Sequence, residues 1–504
     1  MFVDAPVAIR QVFLRWKPKP PKLNRTSLVT FLFIMAVLLA LFVMSDGRVN
    51  PLYSSIHFAI IALSTLHIMW VRRFNLGLSF SFFSLFFFGV IPLFEYRFGI
   101  TYSGATIPED ASYMEAAGVA LLSCVCFYIG YGLKRGSSFT LESLKSIRYV
   151  SVRHRQIVKW TSVAVIAAAA LFIFTFYKFS IFKLLFRGYS EESDQSAIGY
   201  SFVNYVARPL VFNLIFLMIL IWTRRNRVPY MRIALVCGVL GLLVSPLGIP
   251  RSLAGALYIP LVMMAFMPRY NSKYAQLVVI VLAILFLAPL ADVFRFINSE
   301  KNQVDLGSNF NLEYLFSGHF DAFHNLAQVI ETKYKSEGWQ VVGILLFWVP
   351  RDLWEGKPNG TAVDFAAYAG FSADNVSFPL PAEFLVDYGV VGVAVGMLVT
   401  GFIYRRLDMF LSKPQRPGSL SSYLFELGHL EMSILGLYLL RGSVLVSFAF
   451  TSGVASTLVL IAYGDKLLRG TALAALGARS RLPGAPPLPG PRPRPGDQPV
   501  RNIP

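Results

Sequence analysis

A series of about twelve long apolar segments constrains the fold of this chain more than any other feature of its sequence. A helix of about 20 apolar residues is long enough to cross the hydrocarbon core of a bilayer. Only 15% of the residues are charged, which is too few for a typical soluble domain. The chain is therefore predicted to be an all-α, polytopic membrane protein. The segments lie near 27–44, 51–71, 78–94, 113–133, 157–177, 203–222, 232–248, 253–267, 275–291, 385–404, 423–440 and 443–463.

The segment at 78–94, LSFSFFSLFFFGVIPLF, has the residue types of a β-strand. An open strand in lipid would leave its backbone N–H and C=O groups without partners. A helix satisfies those groups within the segment itself. A helix is therefore predicted here as well.

The distribution of basic residues predicts which side of the membrane each connection lies on. The chain has 46 Lys and Arg against 28 Asp and Glu, a formal net charge of +18. With both termini in the cytoplasm, 32 of the 46 basic residues fall in inner segments, including RRFN at 72–75 and RRNR at 224–227. This agrees with the enrichment of Lys and Arg in cytoplasmic loops. The net charge is then mainly topology, and no nucleic-acid partner is expected.

The predicted spans divide the chain into five parts. They are a cytoplasmic segment 1–26, spans 1–9 over 27–291, an extracytoplasmic loop 292–384, spans 10–12 over 385–463 and a cytoplasmic tail 464–504. The tail ends in a Pro-, Gly- and Arg-rich stretch that is expected to be extended. The loop is much longer than a connection requires, which indicates a functional or embedded subdomain. Within it, 317–334 predicts a short amphipathic helix and 338–350 an interfacial or re-entrant helix.

The sequence indicates no disulfide framework, metal site or nucleotide-binding motif. Cys124, Cys126 and Cys237 all lie in predicted spans, so neither a disulfide framework nor a metal site is indicated. The chain has no G-x-x-x-x-G-K-[ST] motif for binding a nucleotide phosphate. No cofactor and no metal are expected.

Fourteen basic residues remain on the outer side, and six arginines there lie at or near the ends of spans. An arginine near lipid is costly unless it faces a polar site. Guanidinium groups bind phosphate oxygens bidentately, so these side chains could converge on one anionic ligand such as a lipid diphosphate. The alternative is that each one only extends to the lipid headgroups. The six are Arg187, Arg208, Arg251, Arg295, Arg351 and Arg441.

The last third of the chain carries a longer pattern. The run P-R-x-L-W-x-x-K-P-x-G at 350–360 is followed by A-E-x-x-x-D-Y-G-x-x-G at the start of a span and by L-R-G-S at 440–443. This order resembles the Wzy-type polymerases of bacterial O-antigen and capsule. The chain departs from the pattern at Asp387, where an asparagine is expected. The residues that carry the resemblance are Pro350, Arg351, Leu353, Trp354, Lys357, Pro358, Gly360, Glu383, Tyr388, Gly389 and Gly392.

The resemblance implies a GT-C-like membrane fold in the bacterial inner membrane and a glycosyl transfer at its outer face. The donor would be an oligosaccharide linked to polyprenyl diphosphate, and the acceptor a second lipid-linked repeat unit. A flippase and a chain-length regulator would be partners. Loss of the diphosphate requires Arg or Lys where negative charge develops. The acceptor hydroxyl requires a general base.

Glu383 is the preferred base because the resemblance places it where the loop meets a span. Its alternative role is a carboxylate at a helix N-terminus. The other candidate bases are His324, His319, Asp352 and Asp387, although the histidines could be ordinary loop residues. The catalytic residues are thus predicted to be Glu383, Arg351 and His324. Substrate binding is predicted for Arg187, Arg208, Arg251, Arg295, Arg441, Lys357, Trp354, His319, Asp321, Asp387 and Tyr388.

Two further assignments in this set have alternatives. Asp321 could orient one of the two histidines in S-G-H-F-D-A-F-H-N. Trp354 and Tyr388 could stack on sugars, but aromatic residues are also common at membrane interfaces.

Three rival functions remain open at the level of sequence. An O-antigen ligase has a similar number of spans and also a large late outer loop. A secondary transporter would place charges and broken helices at the middle of the bilayer in two related halves, and this chain shows no such halves. A non-catalytic flippase partner is the third.

Overall fold

A computed structural model describes residues 25–71, 75–100, 107–133, 152–186, 202–223, 230–266, 273–283, 320–336, 338–347, 349, 353–371, 376–411 and 420–479. These residues form helices, and no strand occurs among them. The helices are α1 (Arg25–Met44), α2 (Pro51–Trp70), α3 (Leu76–Leu85), α4 (Ile91–Phe98), α5 (Asp110–Gly132), α6 (Val152–Phe176), α7 (Ile181–Leu185), α8 (Arg208–Thr223), α9 (Tyr230–Leu243), α10 (Arg251–Phe266), α11 (Lys273–Leu282), α12 (Ala322–Thr332), α13 (Gln340–Leu345), α14 (Thr361–Ala369), α15 (Leu380–Leu411), α16 (Leu420–Arg441) and α17 (Val444–Arg479).

Five stretches of helix among the described residues are long and apolar enough to cross a membrane. They are Pro51–Trp70, Leu76–Phe98, Asp110–Gly132, Leu380–Leu411 and Val444–Gly464. Each of the twelve predicted segments contains at least part of a helix, which confirms the all-α class. The number of crossings stays a prediction, because several of these helices are shorter than a bilayer requires.

The segment at 78–94 is helical, as predicted, and a π-helical turn at Phe86–Val90 joins α3 to α4. Pro92 explains the need for an irregular turn, because it has no N–H to donate to the Phe88 carbonyl one turn earlier. The imidazole Nδ1 of His57 lies 2.7 Å from that carbonyl oxygen and satisfies it instead. Helices α3 and α4 thus form one continuous span of Leu76–Phe98.

Buried side chains gather into two main hydrophobic clusters. The first draws on α2, α3, α5, α12, α14 and α15, and the second on α6, α8, α9, α10, α16 and α17. Helices α5 and α15 cross closely in the first cluster. A Cβ atom at Gly130 would lie 2.0 Å from the Leu398 carbonyl oxygen, and one at Gly401 would lie 2.2 Å from that of Phe127. Small residues allow this approach of two backbones, as they do in membrane helix pairs generally.

The described part of the predicted loop packs into the first cluster. Helix α12 confirms the short helix predicted at 317–334. Its apolar face, which includes Phe323 and Ala327, is buried, but so are His324 and Gln328 on the other face. The helix predicted at 338–350 is shorter than expected, since α13 ends at Leu345.

Helix α15 bends at its tenth residue. Gly389 has φ 66° and ψ −163°, a conformation outside the helical region that a side chain would strain. Residues 380–384, before the bend, belong to the predicted loop, whereas the residues after the bend lie in the predicted span 385–404. The D-Y-G sequence therefore marks the point where α15 changes direction.

Candidate functional site

Glu383 lies where the N-termini of three helices meet. It is in the first turn of α15. Its Oε1 accepts a hydrogen bond of 2.9 Å from the N–H of Val444, the first residue of α17. Its Oε2 accepts a hydrogen bond from the hydroxyl of Thr361, the first residue of α14. The residues that precede α14 and α17 are also close to each other. A Cβ atom at Gly360 would lie 2.9 Å from Ser443 Oγ.

The local sequence explains this geometry. Pro379 and Pro381 fix the backbone just before and within the first turn of α15, where a proline costs no hydrogen bond. An acidic residue in the first turn is stabilised by the positive end of the helix dipole. Three such ends lie beside Glu383, and each adds partial positive charge near its carboxyl group. Both oxygens of Glu383 have donors within the protein, and the side chain is only 4% exposed.

His324, on α12, forms a second buried centre with Glu95 of α4. Its Nδ1 lies 2.8 Å from Glu95 Oε1, and neither side chain is exposed. The Tyr113 hydroxyl is 3.4 Å from the same nitrogen. The amide nitrogen of Gln328 is 3.5 Å from Nε2. With its proton on Nδ1, His324 donates to the Glu95 carboxylate, and Nε2 becomes the basic nitrogen of the ring.

Asp321 immediately precedes α12 and is also buried. Burial raises the pKa of its carboxyl group, and the positive charge of Arg441 acts in the opposite direction. Asn325 donates a hydrogen bond of 2.7 Å to the Ser377 carbonyl, which ties α12 to the chain before α15. The Arg441 guanidinium lies 5.9 Å from the centre of the Phe87 ring. Arg441 is half-buried at the C-terminus of α16.

The structure thus brings four of the predicted residues into one part of the first cluster: His324, Asp321, Glu383 and Arg441. It also supplies one that the sequence analysis missed. Glu95 is separated from His324 by 229 residues along the chain. The available signal was an acidic residue at the end of an otherwise apolar, Phe-rich span, since such residues are costly near lipid and are kept for a purpose.

Arg208 is placed apart from these residues, among side chains of the second cluster. Its guanidinium donates to Asn204 Oδ1 at 2.9 Å and to the Gly248 carbonyl oxygen at 2.8 Å. It also lies 4.9 Å from the centre of the Tyr177 ring. The side chain is 0% exposed. Arg208 therefore ties the start of α8 to neighbouring backbone. These contacts do not join it to the other arginines that were predicted to converge on a ligand.

The remaining described candidates lie along α13–α15. Lys357 Nζ donates to the carbonyl oxygens of Phe347 and Val349 at 2.7 and 2.8 Å, which fixes the chain after α13. Asp387 accepts a hydrogen bond from the Ser336 hydroxyl. Tyr388 is 53% exposed and Trp354 is half-buried, so both rings offer surface to a ligand.

Several predicted residues cannot be placed in this arrangement. Arg187, Arg295, Arg351, His319 and Asp352 lie outside the described residues. Arg251 begins α10, but its side chain is outside the described part of the structure.

The described residues contain no group of three or more His, Cys, Asp and Glu side chains arranged to hold a metal ion. Comparison of the chain with protein-family models finds no match, and the same holds for curated proteins and for solved structures.

Proposed function

We propose that the protein is a glycosyltransferase that polymerises oligosaccharide repeat units linked to polyprenyl diphosphate. The reaction would take place at the outer face of a bacterial inner membrane, and its product would be a surface polysaccharide. The proposal includes the twelve-span topology with both termini in the cytoplasm. It also includes a flippase and a chain-length regulator as partners.

One observation carries the proposal. Asp321 lies within electrostatic reach of both Arg441 and His324, and His324 is paired with Glu95. Arg441 is three residues before Val444, whose N–H binds Glu383. The predicted residues Glu383 and Arg441 therefore lie in the same region as the His324–Glu95 pair. A general base and a cation are the two groups that this transfer requires. The N-termini of α14, α15 and α17 add partial positive charge beside the cation.

The residues divide the reaction between them. The bond between the donor's anomeric carbon and the diphosphate oxygen breaks, and Arg441 stabilises the charge that develops on the departing diphosphate. A bond forms between the anomeric carbon and the acceptor oxygen. The acceptor proton passes to His324 Nε2, while Glu95 holds the imidazole in the required tautomer and stabilises the imidazolium. Glu383 holds the three helix starts together. Because His324 is fully buried, this role requires α12 or its neighbours to move when substrate binds.

This division differs from the prediction that Glu383 is the base. Glu383 already accepts hydrogen bonds on both oxygens, from Thr361 and Val444. His324 has a carboxylate on one nitrogen and a weak amide contact on the other. The geometry therefore favours His324, and replacing each residue separately distinguishes the two.

The test is a complementation assay with His324→Gln, Arg441→Gln and Glu383→Gln in cells that depend on this protein for long-chain polysaccharide. We expect His324→Gln and Arg441→Gln to abolish long chains at a normal protein level in the membrane. The control is His67→Gln, which changes another buried histidine, one that bonds to Ser81 Oγ at 2.6 Å within α2 and α3. Long chains in both variants would contradict the proposal.

An O-antigen ligase is the second candidate, because it uses the same lipid-diphosphate donor and therefore requires the same cation and base. The accumulated product separates the two. Loss of a polymerase leaves single repeat units, whereas loss of a ligase leaves polymerised chains that are not attached to their acceptor.

A further inference from the structure

A glutamate occupies the middle of α16, in the second cluster and apart from the site described above. Glu431 is 0% exposed, as are Asn213 of α8 and Thr457 of α17. The Asn213 amide nitrogen donates to Thr457 Oγ1 at 3.1 Å. The Asn213 side chain also lies near the Glu431 carboxyl group, without a hydrogen bond of normal geometry between them. Three helices therefore contribute one polar side chain each to the same buried point.

The oxygens at this point are poorly satisfied. Neither carboxyl oxygen of Glu431 has a hydrogen-bond partner of normal geometry, and the same is true of Asn213 Oδ1. Buried polar atoms are almost always paired, and an unpaired carboxylate in an apolar interior is the most costly case. An ionised carboxylate is therefore strongly disfavoured at this point of the folded protein.

Among the described residues, no Lys, Arg or His side chain forms an ion pair with Glu431. His429, on the same helix, is paired with Asp408 of α15 at 3.1 Å. Arg208, at the start of α8, donates to Asn204 and to a backbone carbonyl. Among the other neighbouring elements, α3 and the apolar part of α17 up to 464 contain no Asp, Glu, Lys, Arg or His, and the only such residue in α10 is Arg251 at its start.

We propose that Glu431, Asn213 and Thr457 form a proton-binding site, in which Glu431 is a neutral carboxylic acid that donates its proton to Asn213 Oδ1. The proton of the neutral acid gives Asn213 Oδ1 the donor that it lacks, and the second carboxyl oxygen of Glu431 is then an uncharged carbonyl. The neutral form also removes the charge that the apolar surroundings disfavour. The chain Glu431–Asn213–Thr457 then links α16 to α8 and α17.

A sodium ion would be the rival ligand, and the local backbone disfavours it. Cation sites in transport proteins gain oxygen ligands from unwound stretches of helix. Helices α8, α16 and α17 are continuous at these three residues, so their carbonyl oxygens are engaged in helical hydrogen bonds. Too few oxygens remain for a dehydrated ion.

Infrared difference spectroscopy on the purified protein at pH 7 tests the proposal directly. We expect wild-type protein to show the C=O stretching band of a protonated carboxylic acid that is lost in Glu431→Gln. The matched control is Glu426→Gln, which makes the same change on the same helix at a half-buried position and should leave that band in place. No difference between wild type and Glu431→Gln in this band would overturn the proposal.

Two further measurements test the contact with Asn213 and the rival ligand, and the first does not depend on how well Glu431→Gln folds. In Asn213→Ala the band should remain but move to higher frequency, because the acid has lost its hydrogen-bond acceptor. A band that Asn213→Ala leaves unchanged would contradict the proposed contact. If sodium chloride stabilises wild-type protein against heat more than potassium chloride does, and this difference disappears in Glu431→Gln, the site binds sodium and the proposal is wrong.

Discussion

Buried acids lie at two different ends of the first cluster, and the two ends differ in how many acids they hold. At one end Asp408 accepts hydrogen bonds from the N–H groups of Leu76 and Gly77, from the Tyr131 hydroxyl and from His429, all at 2.7–3.2 Å. At the other end Glu95, Asp321 and Glu383 lie near His324 and Arg441. The second group holds three acids where the first holds one.

The difference separates a structural role from a chemical one. Asp408 does what a carboxylate does at a helix N-terminus, since it binds the first N–H groups of α3. A single acid is enough for that. Three buried acids with an imidazole and a guanidinium exceed what helix capping requires, and perturbed or costly charges cluster at functional sites. The comparison therefore predicts folding defects from one group and activity defects from the other.

The largest effect is expected from Asp408→Ala. This change leaves two helix N–H groups, a phenol and an imidazole without their common acceptor. Removing one partner from a buried charged network costs about 3–5 kcal/mol. We expect a large loss of folded protein, measured as the monodisperse fraction after extraction in mild detergent. Asp408→Asn, which keeps one carbonyl oxygen, should recover part of it. A normal yield of folded Asp408→Ala would show that Asp408 does not have the structural role assigned to it.

Glu95→Gln is expected to affect activity instead. The amide can still bond to His324 but no longer stabilises the imidazolium or selects the Nδ1–H tautomer. The rate of chain extension should fall on the order of 10²-fold, the size of a general-base contribution. The folded yield should stay near that of wild type. If the folded yield falls while the rate per folded molecule is unchanged, Glu95 has a structural role like that of Asp408, and the distinction between the two groups is wrong.

How much of this could be predicted from the sequence differs between the helices and the site. The apolar segments predicted the helices because length and hydropathy are local properties. Glu383 lies in the first turn of a helix, as expected, because the beginning of the apolar span marks that point locally. Glu95 was missed because its partner His324 is 229 residues away. Arg208 was grouped with other arginines because a sequence does not distinguish a guanidinium that binds backbone carbonyls from one that awaits a ligand.

Gly389→Ala tests whether the bend in α15 supports the site. At φ 66° and ψ −163°, a conformation essentially restricted to glycine, an alanine costs about 1–3 kcal/mol. We expect a lower midpoint of thermal unfolding and reduced activity, because Asp387 and Tyr388 precede the bend. Gly238→Ala in α9, where a Cβ atom meets no other atom within 4 Å, is the matched control and should be neutral or slightly stabilising. Equal midpoints for the two variants would show that the bend is not required.

The smallest effect is expected from Asp321→Asn, and it should depend on pH. Burial raises the pKa of Asp321 above the ordinary range of a carboxyl group, although Arg441 opposes the shift. The folded protein thus holds a proton that the unfolded chain releases. Stability falls as pH rises from the pKa of the unfolded chain towards the higher pKa of the folded protein. Asparagine has no charge to bury. The variant should gain thermal stability relative to wild type as pH rises above the ordinary carboxyl range. A difference that does not change with pH would contradict the raised pKa.

The central claim is that His324 and Arg441 serve a transfer from a lipid diphosphate. The most direct measurement is a reconstitution of purified protein with a polyprenyl-diphosphate-linked repeat unit in liposomes. The account predicts a ladder of longer lipid-linked chains and one free polyprenyl diphosphate for each bond formed, with both products lost in His324→Gln and Arg441→Gln and kept in His67→Gln. Wild-type protein that leaves the lipid-linked unit unchanged, or variants as active as wild type, would contradict it.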